Sequence, residues 1–244
     1  MVTNIDPITI LTQGVLSVKG EFLWGSNYTF LAEVAFDDLK IAAVYKPNKG
    51  ERPLWDFPTA SLSRREVAAY LVSEALGWRL VPPTIYREKG PLGPGSLQLY
   101  IEHDPEYHYF NFSDEDRQRL RPVALFDLLI NNADRKGSHV LKDNDGRLWL
   151  IDHGVCFHVE DKLRTVIWDF VGEPIPDDLC AALTQLAQDL KPVEGKPSPL
   201  ALSLQGFLSR GEVRALAARA SALATGDGFP PPDPYRRAFP WPQI

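Results

Sequence analysis

The chain has 244 residues, 44% hydrophobic and 24% charged, which is enough to bury a real core as one domain or two lobes and excludes extended disorder. A net charge of −6 with no densely basic segment excludes the electrostatic footprint of a nucleic-acid binder or of a polybasic membrane-binding face. Cys156 and Cys180 are too few for a disulfide framework, residues 1–10 lack a signal-peptide pattern, and no apolar stretch nears the roughly 20 residues of a membrane span, so a cytoplasmic protein without integral membrane association is expected.

The first elements are strands, within residues 15–46. Residues 29–36 and 41–46 are rich in Thr, Phe, Val, Ile and Tyr, with a turn over residues 37–40, and residues 20–27 read as a loop between two strands. A Pro- and Gly-punctuated loop over residues 49–60 leads to a helix that starts near Ser63. There Ser63-x-x-Glu66 has the form of a capping box, and Gly77 supplies a stop. Val67, Tyr70, Leu71 and Ala75 recur at helical spacing and predict one buried face. Residues 97–101 read as a short strand. A helical run capped at Ser113 then carries Leu120, Val123, Ala124, Asp127, Leu128 and Asn131. Two further helices are predicted over residues 177–190 and 210–225, and the Pro-rich residues 229–244 form an extended tail, packed over the body or loose. Strands with one helix, a connecting strand and then mostly helices predict an α+β fold of two unequal lobes, residues 1–98 and 99–228, followed by the tail.

The chemistry concentrates in Asn131-Asn132-Ala133-Asp134-Arg135-Lys136-Gly137-Ser138-His139 and in Ile151-Asp152-His153-Gly154. Between them, Asp145-Gly146 flanked by apolar runs predicts a hairpin with a two-residue loop. That register sets Leu141 against Leu150, Val140 against Ile151 and His139 against Asp152. Opposed residues have Cβ atoms roughly 5 Å apart, which makes His139 and Asp152 a candidate metal-binding pair at the hairpin mouth. Asp134 precedes His139 by five positions, the spacing at which a protein-kinase catalytic loop sets its Asp before a metal-binding Asn; Asp152 stands where D-F-G has its Asp. Phosphoryl transfer needs a carboxylate to orient a hydroxyl and take its proton, and hard cations on the phosphates. Lys136 is placed to offer its ammonium to the transferred group.

Upstream, Ala43-Val44-Tyr45-Lys46 has the form of the strand whose lysine reaches the nucleotide phosphates, with Glu66 as its candidate partner, and Gly25-Ser26-Asn27 could cover the phosphates with backbone amides. Glu66 has two readings, the lysine's partner or a helix-capping group. Tyr45-Lys46-Pro47, Asp134-Arg135 and Ile151-Asp152-x-Gly together resemble the phosphoinositide 3-/4-kinase superfamily, and Asn131-Asn132-Ala133-Asp134-Arg135-Lys136-x-x-His139 with Ile151-Asp152-His153-Gly154 resembles its small bacterial phosphoinositide 3-/4-kinase-like members; HipA-type protein kinases are more distant. The resemblance spans about residues 15–190. It implies a bilobal protein-kinase-like fold, ATP with Mg²⁺ (or Mn²⁺) in the cleft, Asp134 as base, His139 and Asp152 as metal ligands, and Lys46 held by Glu66 as phosphate anchor. Gln98 and Tyr100, on the connecting strand, are further candidate nucleotide contacts. His139 stands where Asn is usual, and His153 where Phe is usual.

Three functions compete: an ATP-dependent kinase acting on a hydroxyl-bearing acceptor; a nucleotide-binding pseudokinase, suggested by His139; and a metal-dependent hydrolase built on His139, Asp152, His153 and His158. Cys156 and His158 read as packing residues, and His103 and His108 as surface residues. Residues 155–174 carry Lys162 and Arg164 but also Glu160, Asp161, Asp169 and Glu173, a balance that suits a protein hydroxyl or neutral small molecule better than an anionic lipid head group. An imidazole must be neutral to bind a cation, so a pH dependence near 6 to 7 is expected unless the group is shifted.

Overall fold

Branched and aromatic residues alternating along the first part of the chain build a five-stranded antiparallel sheet. The computed structural model describes residues 5–22 and 28–244. The strands are β1 (Val15–Glu21), β2 (Phe30–Phe36), β3 (Leu39–Pro47), β4 (Thr84–Arg87) and β5 (Gly95–Leu99), in the spatial order β1-β2-β3-β5-β4. The turn between β2 and β3 is tighter than expected: Phe36 pairs with Leu39, and Asp37 takes φ +50°, a conformation that Asp tolerates better than most residues. Ala32, Val34, Ala43, Tyr45 and Leu97 point to one face and bury Ile10 and Leu11 of a short helix, α1 (Pro7–Gln13). Asp6 caps α1 through Ile8 N at 3.1 Å. Seven residues are too short to display a period, so the sequence predicts no element there.

Helix α2 (Leu62–Ala75) begins one residue before the predicted cap, so Ser63 lies inside it. Ser63 instead donates its hydroxyl to Asn48 Oδ1, and its amide binds Glu51 Oε1 at 2.8 Å. No capping box forms. Gly77, at φ +71°, stops the helix as expected. The buried surface is wider than the predicted face: Tyr70, Leu71 and Ala75 are only half-buried, whereas Arg65, Glu66, Val67, Ala68, Ala69, Val72 and Ser73 are buried. Two charged residues and small ones on the covered side erase the apolar signature. Ala68, Ala69, Val72 and Leu76 join the larger core with residues of the helical half. Arg65, 2% exposed, donates to Glu212 Oε1 at 2.5 Å and to the Cys156 carbonyl at 2.6 Å.

The helical half holds α3 (Asp114–Gln118), α4 (Arg121–Ile130), α5 (Asp177–Asp189), α6 (Pro199–Gln205) and α7 (Arg210–Thr225). Ser113 caps α3 as expected, but the helical run is two helices, with Pro122 in the first turn of α4, where a missing N–H costs nothing. Ser209 and Glu212 close a reciprocal cap at the start of α7. The tail is packed, not loose: Phe229 and Pro240 are buried, Ala238 O accepts from Thr165 N at 3.0 Å, and Gln243 O accepts from Gly137 N at 2.8 Å. Among the described residues no helix is long and apolar enough to cross a membrane.

The hairpin of β6 (Val140–Lys142) and β7 (Leu148–Leu150) departs from the expected register by one residue. Val140 pairs with Leu150 and Leu141 with Trp149, and the loop has three residues, 144–146. Gly146 N donates to Asp143 O, and Gly146 takes φ +80°. A turn closed by a left-handed glycine is the three-residue solution, and Asp143 Oδ1 fixes it by accepting from Asp145 N and Arg147 N. His139 is therefore opposite Ile151, whose amide donates to its carbonyl at 3.1 Å.

Candidate active site

A cavity of about 350 Å³ opens between the sheet and the segments that carry Asp134, His139 and Asp152. Lys46, Glu66, Gln98, Tyr100, Asp134, His139 and Asp152 all line it. β3 delivers Lys46 from above, and its ammonium meets Glu66 Oε1 at 2.5 Å and Asp152 Oδ1 at 2.9 Å. The two readings of Glu66 are thereby resolved in favour of the lysine. Its second oxygen accepts the backbone amide of His153 at 2.9 Å, so one buried carboxylate ties β3 to the segment after β7. Burial opposes the Lys46 charge, but Asp152 and Glu66 outweigh it and hold the ammonium above its ordinary range.

Asp152 takes φ +61°, and this left-handed residue, not strand pairing, swings its carboxylate back across the hairpin mouth. Oδ2 lies 3.3 Å from His139 Nε2, so the predicted pair meets although the predicted register is absent. Burial works against the Asp152 charge, yet the Lys46 ammonium keeps the carboxyl far below its usual range. Burial also pushes the His139 pKa down to about 4, which leaves the ring neutral at ordinary pH and moves its titration below the expected 6 to 7.

Asp134 follows α4 after a left-handed Asn131, and its amide is held by Asn132 Oδ1 at 3.0 Å. Burial and the neighbouring Asp152 raise its pKa to about 6 against the pull of Lys136. The Lys136 ammonium is 3.7 Å from Asp134 Oδ2 but does not itself line the cavity. Gln98 donates to Thr84 Oγ1 at 2.8 Å, and its backbone pairs with Val44. Gly25, Ser26 and Asn27 lie outside the described residues.

Beneath these groups lies a frame that no sequence motif announces. Arg135, fully buried, binds both oxygens of Asp127 through Nε at 3.0 and 3.1 Å, the Ile151 carbonyl at 2.9 Å and His153 Nε2 at 2.9 Å. Asp127, also fully buried, further accepts from Asn132 at 3.0 Å and Thr165 at 3.1 Å. The available signal was a lone carboxylate inside the apolar run Leu125-Phe126-Asp127-Leu128-Leu129. His103 was expected on the surface; it lines the cavity instead, with Nδ1 on the Ile101 carbonyl at 2.8 Å and its ring 6.3 Å from Tyr100. Cys156 is buried and His158 packs edge-on to Phe57, as expected of packing residues.

The donor set at the cavity suits a cation that accepts one nitrogen: Asp152 is ionised, His139 is neutral, and both face the same space. Lys136 N approaches His139 Nδ1 at 3.4 Å, a long contact that a change of tautomer gives up at small cost. His153 turns its Nε2 to Arg135, and among the described residues no three His, Cys, Asp or Glu side chains converge as a metal cluster.

No family model matches the chain. The sequence is 40% identical to Protein Rv2133c of Mycobacterium tuberculosis over 99% of this chain and 97% of that protein. It is 28% identical to Phosphatidylinositol 4-kinase gamma 4 of Oryza sativa over 51% of this chain, which is 26% of the plant protein, and 32% identical to the Arabidopsis thaliana protein of the same name over 38% of this chain and 21% of that one. Among solved structures it is similar to the Helicobacter pylori proinflammatory kinase CtkA, with a TM-score of 0.50, 12% identity, and coverage of 87% of this chain and 92% of that one. The fold is α+β and kinase-like, with an antiparallel sheet over a helical half.

Proposed function

We propose that this chain, which belongs to the family of the mycobacterial Protein Rv2133c, is an ATP-dependent phosphotransferase acting on a hydroxyl group. The observation that carries the reading is the convergence of Lys46, Glu66, Asp134 and Asp152 on one cavity between the sheet and the helical half. The acceptor oxygen forms a bond to the γ-phosphorus as the bond to the β-phosphate oxygen breaks, and the hydroxyl proton passes to Asp134. A raised pKa suits Asp134 to this, because a base that holds its proton more tightly takes one more readily. Lys46, fixed by Glu66, anchors phosphate oxygens, and Lys136 offsets charge on the transferred group. Asp152 with His139 would hold the divalent cation, which supplies charge neutralisation on the phosphates.

Nucleotide binding is the first test. An ATP analogue with Mg²⁺ or Mn²⁺ at about 100 times its dissociation constant should stabilise the protein by roughly 2.7 kcal/mol. Lys46→Ala should remove most of that gain. An equal thermal shift in the variant would take Lys46 out of the phosphate site.

His139 sets the metal preference in this reading. Mg²⁺ prefers oxygen ligands in a near-ideal octahedron, whereas imidazole suits later first-row ions. The wild-type shift should be as large with Mn²⁺ as with Mg²⁺, or larger, and His139→Asn should move the balance toward Mg²⁺. A Mn²⁺/Mg²⁺ ratio unchanged in binding as well as in turnover would sink the ligand assignment. A pseudokinase, the alternative that His139 itself suggests, would give the nucleotide shift with no ADP release.

A further inference from the structure

Away from the cleft lies a second cavity, of about 420 Å³, bounded by α7, the segment 159–168 and the Pro-rich tail. Its volume is in the range of small-molecule sites, and its walls are mostly apolar, with Leu128, Leu163, Trp168, Leu223, Pro230 and Pro231 among them. The polar residues at this wall do not balance. Arg219 on α7 donates Nε to the Leu129 carbonyl at 2.8 Å and Nη1 to the His158 carbonyl at 3.3 Å, while Nη2 is buried without a hydrogen-bond partner. Carbonyl oxygens satisfy donors but do not neutralise a charge. Burial pushes the guanidinium down to about 10, with Asp161 only partly opposing. The other acids are engaged: Asp233 pairs with Arg236 at 3.3 Å, and Asp161 Oδ1 accepts from Leu163 N at 3.1 Å. Arg237, exposed at the same wall, makes no ion pair or side-chain hydrogen bond with any described residue.

A partly buried guanidinium that no carboxylate pairs among the described residues, beside a second uncommitted cation and an apolar chamber, matches an anion that carries an apolar body. We propose that this cavity binds a small amphipathic anion, an alkyl or aryl carboxylate or phosphate monoester. Its acidic group is held by Arg219 and Arg237, and its hydrocarbon lies on Trp168, Leu163 and the prolines.

Octanoate, phenyl phosphate and the uncharged octanol are the probes, titrated calorimetrically into the full chain. One of the two anions, at least, should bind with unit stoichiometry. Octanol should bind at least about tenfold more weakly, the loss expected for one charge-assisted hydrogen bond. Arg219→Met should weaken the anion comparably. Because Arg219 also holds two carbonyls, Arg237→Ala, at an exposed residue with no ion pair or side-chain hydrogen bond to a described residue, and Ala222→Phe, which narrows the cavity, keep the test independent of folding. Each should reduce affinity at least about tenfold, whereas Lys46→Ala should leave it unchanged, which separates this site from the nucleotide cleft. The proposal is overturned if neither anion binds by about 10 mM, if octanol binds equally well, or if Arg237→Ala and Ala222→Phe both retain full affinity.

Discussion

Substituting Asp134 with asparagine is expected to lower phosphoryl transfer by about 10²- to 10⁴-fold while leaving nucleotide-induced stabilisation in place. The amide still occupies the volume and can still accept a hydrogen bond from the acceptor hydroxyl, but it cannot take the proton. Asp152→Asn should differ in kind. It removes a ligand candidate and a partner of Lys46, so metal-dependent binding and turnover should fall together. The pH profile gives a second signature. With the Asp134 pKa near 6, the base is deprotonated above that value, so the wild-type rate should rise through about pH 6 and level off above 7. His139, near 4, stays neutral throughout that window and adds no limb to it. Equal loss of nucleotide binding in both aspartate variants would mean that the two carboxylates do not divide the work in this way.

Asp127→Ala carries the largest expected cost in stability. It leaves Arg135 charged, fully buried and without its carboxylate, and breaking such a pair costs about 3–5 kcal/mol. For a chain of this size that is a fall in Tm of roughly 10 °C, measurable by calorimetry. Turnover should fall beyond the unfolded fraction, because the same network fixes Asn132, which in turn holds the Asp134 amide. Replacing both partners with apolar residues, Asp127→Leu with Arg135→Met, should recover part of the stability without recovering turnover. A Tm within about 2 °C of wild type for Asp127→Ala would show that Arg135 does not depend on this carboxylate.

Much of the fold was legible because its elements obey one period each. β2 and β3, α5 and α7 came out within a residue or two, since each carries a clear alternation, cap or stop. The candidate site was legible for a different reason: Asp134, His139 and Asp152 are near in sequence, and chemistry constrains their spacing. What the sequence concealed is equally specific. Asp-Gly suits both a two-residue loop and the end of a three-residue one, so the hairpin register turned on how Asp143 uses its carboxylate. The His139–Asp152 contact depends on a single left-handed residue, which no pattern announces. Arg135 stands out only as part of a motif, because nothing local reveals that its partner is a carboxylate eight residues upstream. α1 and α6 are too short for periodicity, and α2 buries charge where pattern reading looks for hydrocarbon.

Arg65 and Glu66, neighbours on α2, hold opposite halves of the molecule. Arg65 is clamped to α7 through Glu212, and just past the helix Leu80 O and Arg79 O receive bonds from Leu150 N and Arg147. Glu66 reaches out to a strand of the sheet. The helix is thus bolted to the helical half, with the acid projecting toward the sheet. Lys46, the latch of the cleft, lies at the tip of β3, and its keeper Glu66 belongs to the frame that Arg65 fastens to α7.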